Sequence, residues 1–283
     1  MRPFALYHKC ADSITLQQQK LTDIISQIVK PDTIYLLGAS LHRRRSESIF
    51  CSEAPSSQHT ADYYLLVLLS DFNNREQFEW QDMIEQHCSG LMPVTTIVLK
   101  TATFKEWLLA GHSFARHVVD LAPCIYQAGH IAPVARLSET AIPDPAKKNK
   151  IYTEGLNKAS EFFAGAEVFK LRKQYTMAAF MLHQSAEQVL RTILIAGTGY
   201  NSCTHNLDRL SRYAGMVAYQ LPDIFSKRSG KDGYLFRVLQ TAYSDTRYKE
   251  GFQINSQDLV LLINKVSLLL ELLIDFGKGN NGK

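Results

Sequence analysis

No two cysteines in this sequence are spaced as C-x-x-C. The five present, Cys10, Cys51, Cys88, Cys124 and Cys203, are scattered and odd in number. That pattern argues against a disulfide framework and a structural zinc site, and for a reduced, cytoplasmic protein. Low-complexity tracts are missing, which excludes a disordered chain. A strong charge imbalance is missing as well: the net charge is +4 and the sequence pI about 8.7. Domains that grip a phosphate backbone usually have a pI above roughly 9, so the composition permits an anionic partner without requiring one. Long apolar runs are also scarce. The opening MRPFALYHKCADS has no core of secretory-signal length, and residues 259–276, the most apolar segment, are interrupted by Asn264, Lys265 and Glu271. That segment reads as a buried amphipathic helix, and no membrane association is expected.

What is present is ordinary globular composition, 46% hydrophobic and 20% charged over 283 residues, long enough for two domains with separate cores. Ser13 can cap a helix bearing Leu16, Leu21, Ile24, Ile25, Ile28 and Val29, which Pro31 ends. Residues 33–37 form a short β-branched and apolar strand that stops at Gly38, and 63–69 are a second apolar run of the kind a sheet buries on both faces. Between them, LLGASLHRRRSES runs through Gly38 and Ser40 into Arg43, Arg44 and Arg45, in the manner of a phosphate-holding loop. Residues 76–87 read as helix, 94–99 as a third strand, 104–110 and 113–121 as short helices, and Ile125-Tyr126 as an edge strand. This order predicts a small mixed sheet with helices over 1–128. The stretch 129–150, rich in Pro, Ala and charge, reads as a linker.

From 151 to 283 the texture is all helical, with expected helices at 152–171, 175–196, 207–218, 234–244 and 257–276. In the second of these, Ala178, Ala179, Leu182, Ala186, Val189, Leu190, Ile193 and Leu194 make an apolar stripe. His183, Glu187 and Arg191 recur every fourth residue and share a polar face. On spacing alone that face is an exposed ion-pair ladder. His205 in THNLDRL reads as a brace, with Thr204 or Asn206 capping the helix that follows.

Three separated stretches, YTMAAFMLHQSAEQVLRTIL, THNLDRL and LQTAYSDTRY, resemble the HEPN family over residues 152–277. The resemblance implies an antiparallel, up-and-down helical bundle that dimerises and binds nucleotides or RNA. Many members are ribonucleases with an Arg-x4-6-His motif. Here Arg247 matches the arginine and no histidine follows it in the sequence, so general acid–base cleavage lacks its usual agent. Ala242-Tyr243-Ser244-Asp245-Thr246-Arg247-Tyr248 instead is similar to the A-Y-x-x-x-R-Y signature of a non-nucleolytic branch. Either Arg247 holds a phosphate and Tyr243 or Tyr248 stacks on a base, or Arg247 pairs internally with Glu187 and the tyrosines are core.

Bacterial HEPN bundles are often joined to a minimal nucleotidyltransferase domain, and LLGAS, a helix-like ESIF, TADYYLLVLL and PVTTIVL resemble its layout in order and spacing. The resemblance implies a Gly-Ser turn at Gly38 and Ser40 and three carboxylates holding two magnesium ions. Asp62 fits the first acid. Tyr64 stands at the second, and Thr95 or Thr96 at the third. The whole chain is therefore expected to be α+β, a degenerate nucleotidyltransferase-like domain followed by a HEPN bundle. The expected function is non-catalytic nucleotide or RNA binding, with no cofactor. The alternatives are a scaffold for protein partners, or a nucleotidyltransferase with an altered metal site, the one case that calls for magnesium. The ligand-binding candidates are Gly38, Ser40, Arg43, Arg44, Asp62, His183, Glu187, Arg191, Tyr243, Arg247 and Tyr248.

Overall fold

The computed structural model describes residues 11–41, 45–48, 60–129, 145–225, 230–248 and 253–281. The chain divides into two compact units, Met1–Ile142 and Pro143–Lys283.

The first unit opens with helix α1 (Ala11–Val29), which ends where Lys30 turns to φ 47° ahead of Pro31. Strands β1 (Thr33–Leu41), β2 (Arg45–Ser48), β3 (Thr60–Leu69), β4 (Val94–Lys100) and β5 (Cys124–Gln127) make one mixed sheet of order β2-β1-β3-β4, with β5 also on β1. Strands β1 and β3 are antiparallel and β3 and β4 parallel, so β3 and β4 need a crossover, which α2 (Gln77–Cys88) supplies. Helices α3 (Thr101–Leu109) and α4 (Ser113–Leu121) follow β4. Side chains alternate along each strand. Ile34, Leu36, Tyr63, Leu65, Val67, Val94 and Val98 form one core with Leu21 and Ile25 of α1 and Trp80, Ile84 and Cys88 of α2. On the opposite face, Tyr35 packs against Phe104 of α3 with ring centroids 6.1 Å apart.

Two expectations for this unit are corrected. Gly38 does not stop β1. The strand runs through Gly38, Ala39 and Ser40, which ladder onto both β2 and β3, and a register shift between Leu36 and Gly38 absorbs the irregularity. A glycine at a β-bulge serves the strand it interrupts. The helix-like reading of ESIF is also corrected at Glu47 and Ser48, which pair antiparallel with Ala39 and Gly38; Ile49 and Phe50 lie outside the described residues. Arg43 and Arg44 lie outside the described residues.

In the second unit, α5 (Pro145–Leu171) begins inside the stretch read as linker. Then come α6 (Tyr175–Thr198), α7 (Leu207–Ala214), one turn at α8 (Leu221–Ile224), α9 (Gly230–Tyr248) and α10 (Ser256–Asn281). Helix α6 is central, packing against α5, α7, α9 and α10, and all eight residues of its expected apolar stripe are buried. Burying a leucine-sized side chain contributes about 1.5–3 kcal/mol, which makes this stripe the mainstay of the bundle. Gly199, at φ 79°, closes α6 by donating its N–H to the Ile195 carbonyl at 2.8 Å.

Candidate functional site

In the helical unit the polar face of α6 is not exposed. His183 is fully buried and Glu187 nearly so, at 0% and 3% accessibility, which corrects the reading as a solvent-facing ladder. The cause is the connection between α6 and α7, which folds back over this face. Arg191 Nε donates to Glu187 Oε1 at 2.8 Å, Nη2 donates to the Thr204 carbonyl at 2.6 Å, and Nη1 donates to the Ser202 carbonyl. His205 Nδ1 donates to the same carboxylate, 3.0 Å from Oε1 and 3.1 Å from Oε2. A carbonyl only accepts, so His183 Nδ1, 2.9 Å from the Leu239 carbonyl, carries a proton. Its Nε2 stands 3.5 Å from Glu187 Oε2, within ion-pair range but long for a hydrogen bond. Burial pushes the Glu187 carboxyl up. The contacts from His183, Arg191 and His205 outweigh it and bring the pKa down to about 2.

Tyr243 of α9 joins this group through its ring, which stacks on His205 at 4.8 Å and 14° and on His183 at 5.1 Å and 26°. Asn206 caps α7, its side chain accepting from Arg209 N at 3.0 Å. One carboxylate thus ties α6 to the loop before α7, and the two histidines on it reach the Leu239 carbonyl and the Tyr243 ring of α9. The structure brings His183, Glu187, Arg191 and Tyr243 into one cluster and adds His205 to it. The Ser202 and Thr204 carbonyls, equally part of it, carry no signal in the sequence because they are backbone. Arg247 and Tyr248 lie on the last turn of α9, with Arg247 one turn beyond Tyr243; their side chains are outside the described set.

In the sheet unit, Ser40 pairs directly with Asp62, and Gly38 with Tyr64. Side chains at 62, 64 and 95 share one face: Thr95 donates its hydroxyl to Asp62 Oδ2 at 2.9 Å, while Thr96 turns to the other face and donates to Glu85 Oε1 of α2 at 3.0 Å. Of the two threonines, Thr95 is thus the one that shares a face with Asp62 and Tyr64. Tyr64 and Thr95 are buried, and Asp62 is half-buried. A two-magnesium centre needs several carboxylate oxygens converging on it. One aspartate flanked by two hydroxyl-bearing side chains does not fit that requirement. Among the described residues, no group of three or more His, Cys, Asp or Glu is placed to hold a metal ion, and no helix is long and apolar enough to cross a membrane.

Residues 152–276 match the model of the HEPN domain family. The helical unit is the part of the chain similar to that family. The Glu187 cluster thus lies within the matched residues, between α6, the loop before α7 and α9. No curated protein matches the chain. Among solved structures, a nucleotidyltransferase-like protein from Exiguobacterium sibiricum 255-15 is similar at 13% identity and a TM-score of 0.31, over 92% of this chain and 76% of its own. What bears on the sheet unit beside the HEPN domain is its own topology, β1 antiparallel to β3 and β3 parallel to β4.

Proposed function

We propose that this chain is a non-catalytic nucleotide- or RNA-binding regulatory protein of the nucleotidyltransferase–HEPN type, cytoplasmic and dimeric through its bundle. The observation that carries the reading is the occupancy beside Asp62. Buried Tyr64 and Thr95 stand where a metal-dependent transferase needs acids, and the Thr95 hydroxyl engages the one carboxylate left. Binding falls to the HEPN domain, at the end of α9. The Tyr243 ring is already taken up by His183 and His205, so base stacking passes to Tyr248, and Arg247 takes the phosphate through its bidentate fork. Ser40 and Asp62 mark the remains of a phosphate site in the sheet unit.

Calorimetry of the full chain with ATP, GTP and short single-stranded RNAs tests this. The expected result is micromolar binding that persists in EDTA and weakens about tenfold or more in Arg247→Ala, the loss of a charge-assisted contact. Absence of binding at high micromolar ligand overturns it. Label transfer from ATP to a protein in cell extract, with magnesium or manganese, that disappears in Asp62→Asn overturns the non-catalytic part and restores the altered-enzyme alternative.

One observation favours the scaffold alternative alongside. The outward face of α10 carries the exposed apolar side chains Val260, Leu261, Leu268 and Ile274, a surface suited to a second copy or a protein partner. Light scattering reads it: Leu268→Glu is expected to shift a dimer to monomer. An unchanged mass sends the interface elsewhere.

A further inference from the structure

Among the described residues, strand β4 pairs only with β3 and stands at the edge of the sheet order β2-β1-β3-β4. Its sequence VTTIVLK is β-branched and apolar, and Val94 to Leu99 are buried, the composition that makes a bare edge prone to pair with another strand. The Pro93 carbonyl accepts from Tyr63 N at 3.1 Å, so odd-numbered residues of this segment direct their backbone groups at β3 and even-numbered ones direct theirs outward. Two side chains of α2 meet those outward groups. Glu85 Oε1 accepts from Thr96 N at 3.0 Å, and Gln77 Nε2 donates to the Val98 carbonyl at 2.8 Å.

We infer that Gln77 and Glu85 are edge guards, which keep β4 from pairing with β4 of a second copy of this chain. The exchanged partner is self-complementary. In an antiparallel β4–β4 pair centred near Ile97, the one charged residue, Lys100, faces Val94 and not its own copy. The bond from Thr96 N to the Val98 carbonyl of the second copy, and its symmetry mate, would have to replace bonds that α2 already supplies.

The full chain carrying Gln77→Ala and Glu85→Ala is expected to remain folded by circular dichroism. It should form concentration-dependent species heavier than wild type in light scattering. Adding Thr96→Pro, which deletes the outward N–H at a position where an edge strand tolerates proline, should return the wild-type mass. Glu85→Gln keeps an acceptor for Thr96 N and should behave as wild type. A folded double variant with the wild-type mass at every concentration overturns the inference, as does association that Thr96→Pro leaves in place. Amide exchange on the unaltered protein tests it without any variant: the Thr96 amide is expected to exchange at least tenfold more slowly than that of Asn73 in the turn, and equal rates overturn the guard.

Discussion

Glu187 is the residue on which the bundle's polar interior turns. Its buried carboxylate is held at a pKa of about 2 against an ordinary 4.5. A carboxylate whose folded pKa is depressed contributes stability that is fully present above the unfolded value and lost as pH falls through the folded one. The contribution is therefore complete above about pH 4.5 and gone near pH 2, and amounts to roughly 3 kcal/mol. Denaturant unfolding followed over that window should show the loss in wild type and a flatter profile in Glu187→Gln. Glu187→Ala, which strands Arg191 with two backbone carbonyls and releases both histidines, should cost about 3–5 kcal/mol at neutral pH. His205→Ala removes one hydrogen bond and one ring stack at a half-exposed position and should cost about 1 kcal/mol. The spacing of His183, Glu187 and Arg191 was legible in the sequence, because a four-residue repeat fixes a shared helical face. Its burial was not, since the same repeat suits solvent equally well and what covers it is a loop held by the Ser202 and Thr204 carbonyls. Asp62 shows the converse. Its neighbours Tyr64 and Thr95 were readable one by one, and pairing register then placed all three on one face.

At the scale of elements, close helix contact is written at glycines. A Cβ on Gly155 of α5 would fall against Thr192 Oγ1 and lie 2.7 Å from Thr192 Cγ2 of α6. Gly155→Ala should therefore force these helices apart and cost about 1–3 kcal/mol, the usual penalty of overpacking; the measure is a thermal midpoint lowered with helical content retained. At Gly90 a Cβ would meet nothing within 4 Å, which makes Gly90→Ala a control that should leave the midpoint unchanged. The helices of the second half were legible as elements, since apolar stripes at helical period have one simple solution. Boundaries were less so. Helix α5 begins at Pro145 because proline is well placed in a first turn, and composition alone made that stretch look like a linker. Gly38 misled in the opposite direction. A glycine after an apolar run reads as a stop, but the ladder bonds from β2 and β3 on both sides carry the strand past it.

For the molecule as a whole, the chain joins a mixed-sheet unit, in which the Thr95 hydroxyl engages Asp62, to a helical unit whose residues 152–276 match the HEPN domain family and whose buried polar cluster centres on Glu187. Function was legible as far as the motifs reach. The departures at Tyr64, Thr95 and after Arg247 motivate the proposed reading, which makes binding the activity to test. Which residues meet is a matter of the fold, and there the structure corrects the expectation: His183, Glu187 and Arg191 are spent on one another and on the loop before α7, so the proposed reading looks for ligand contact at the end of α9. The most direct measurement is calorimetric titration of short single-stranded RNA and of ATP into the full chain in EDTA. It is done in parallel with Arg247→Ala and Glu187→Gln. The account predicts micromolar binding that Arg247→Ala weakens about tenfold or more and that Glu187→Gln, if folded, retains; binding that requires magnesium, or none at high micromolar ligand, contradicts it.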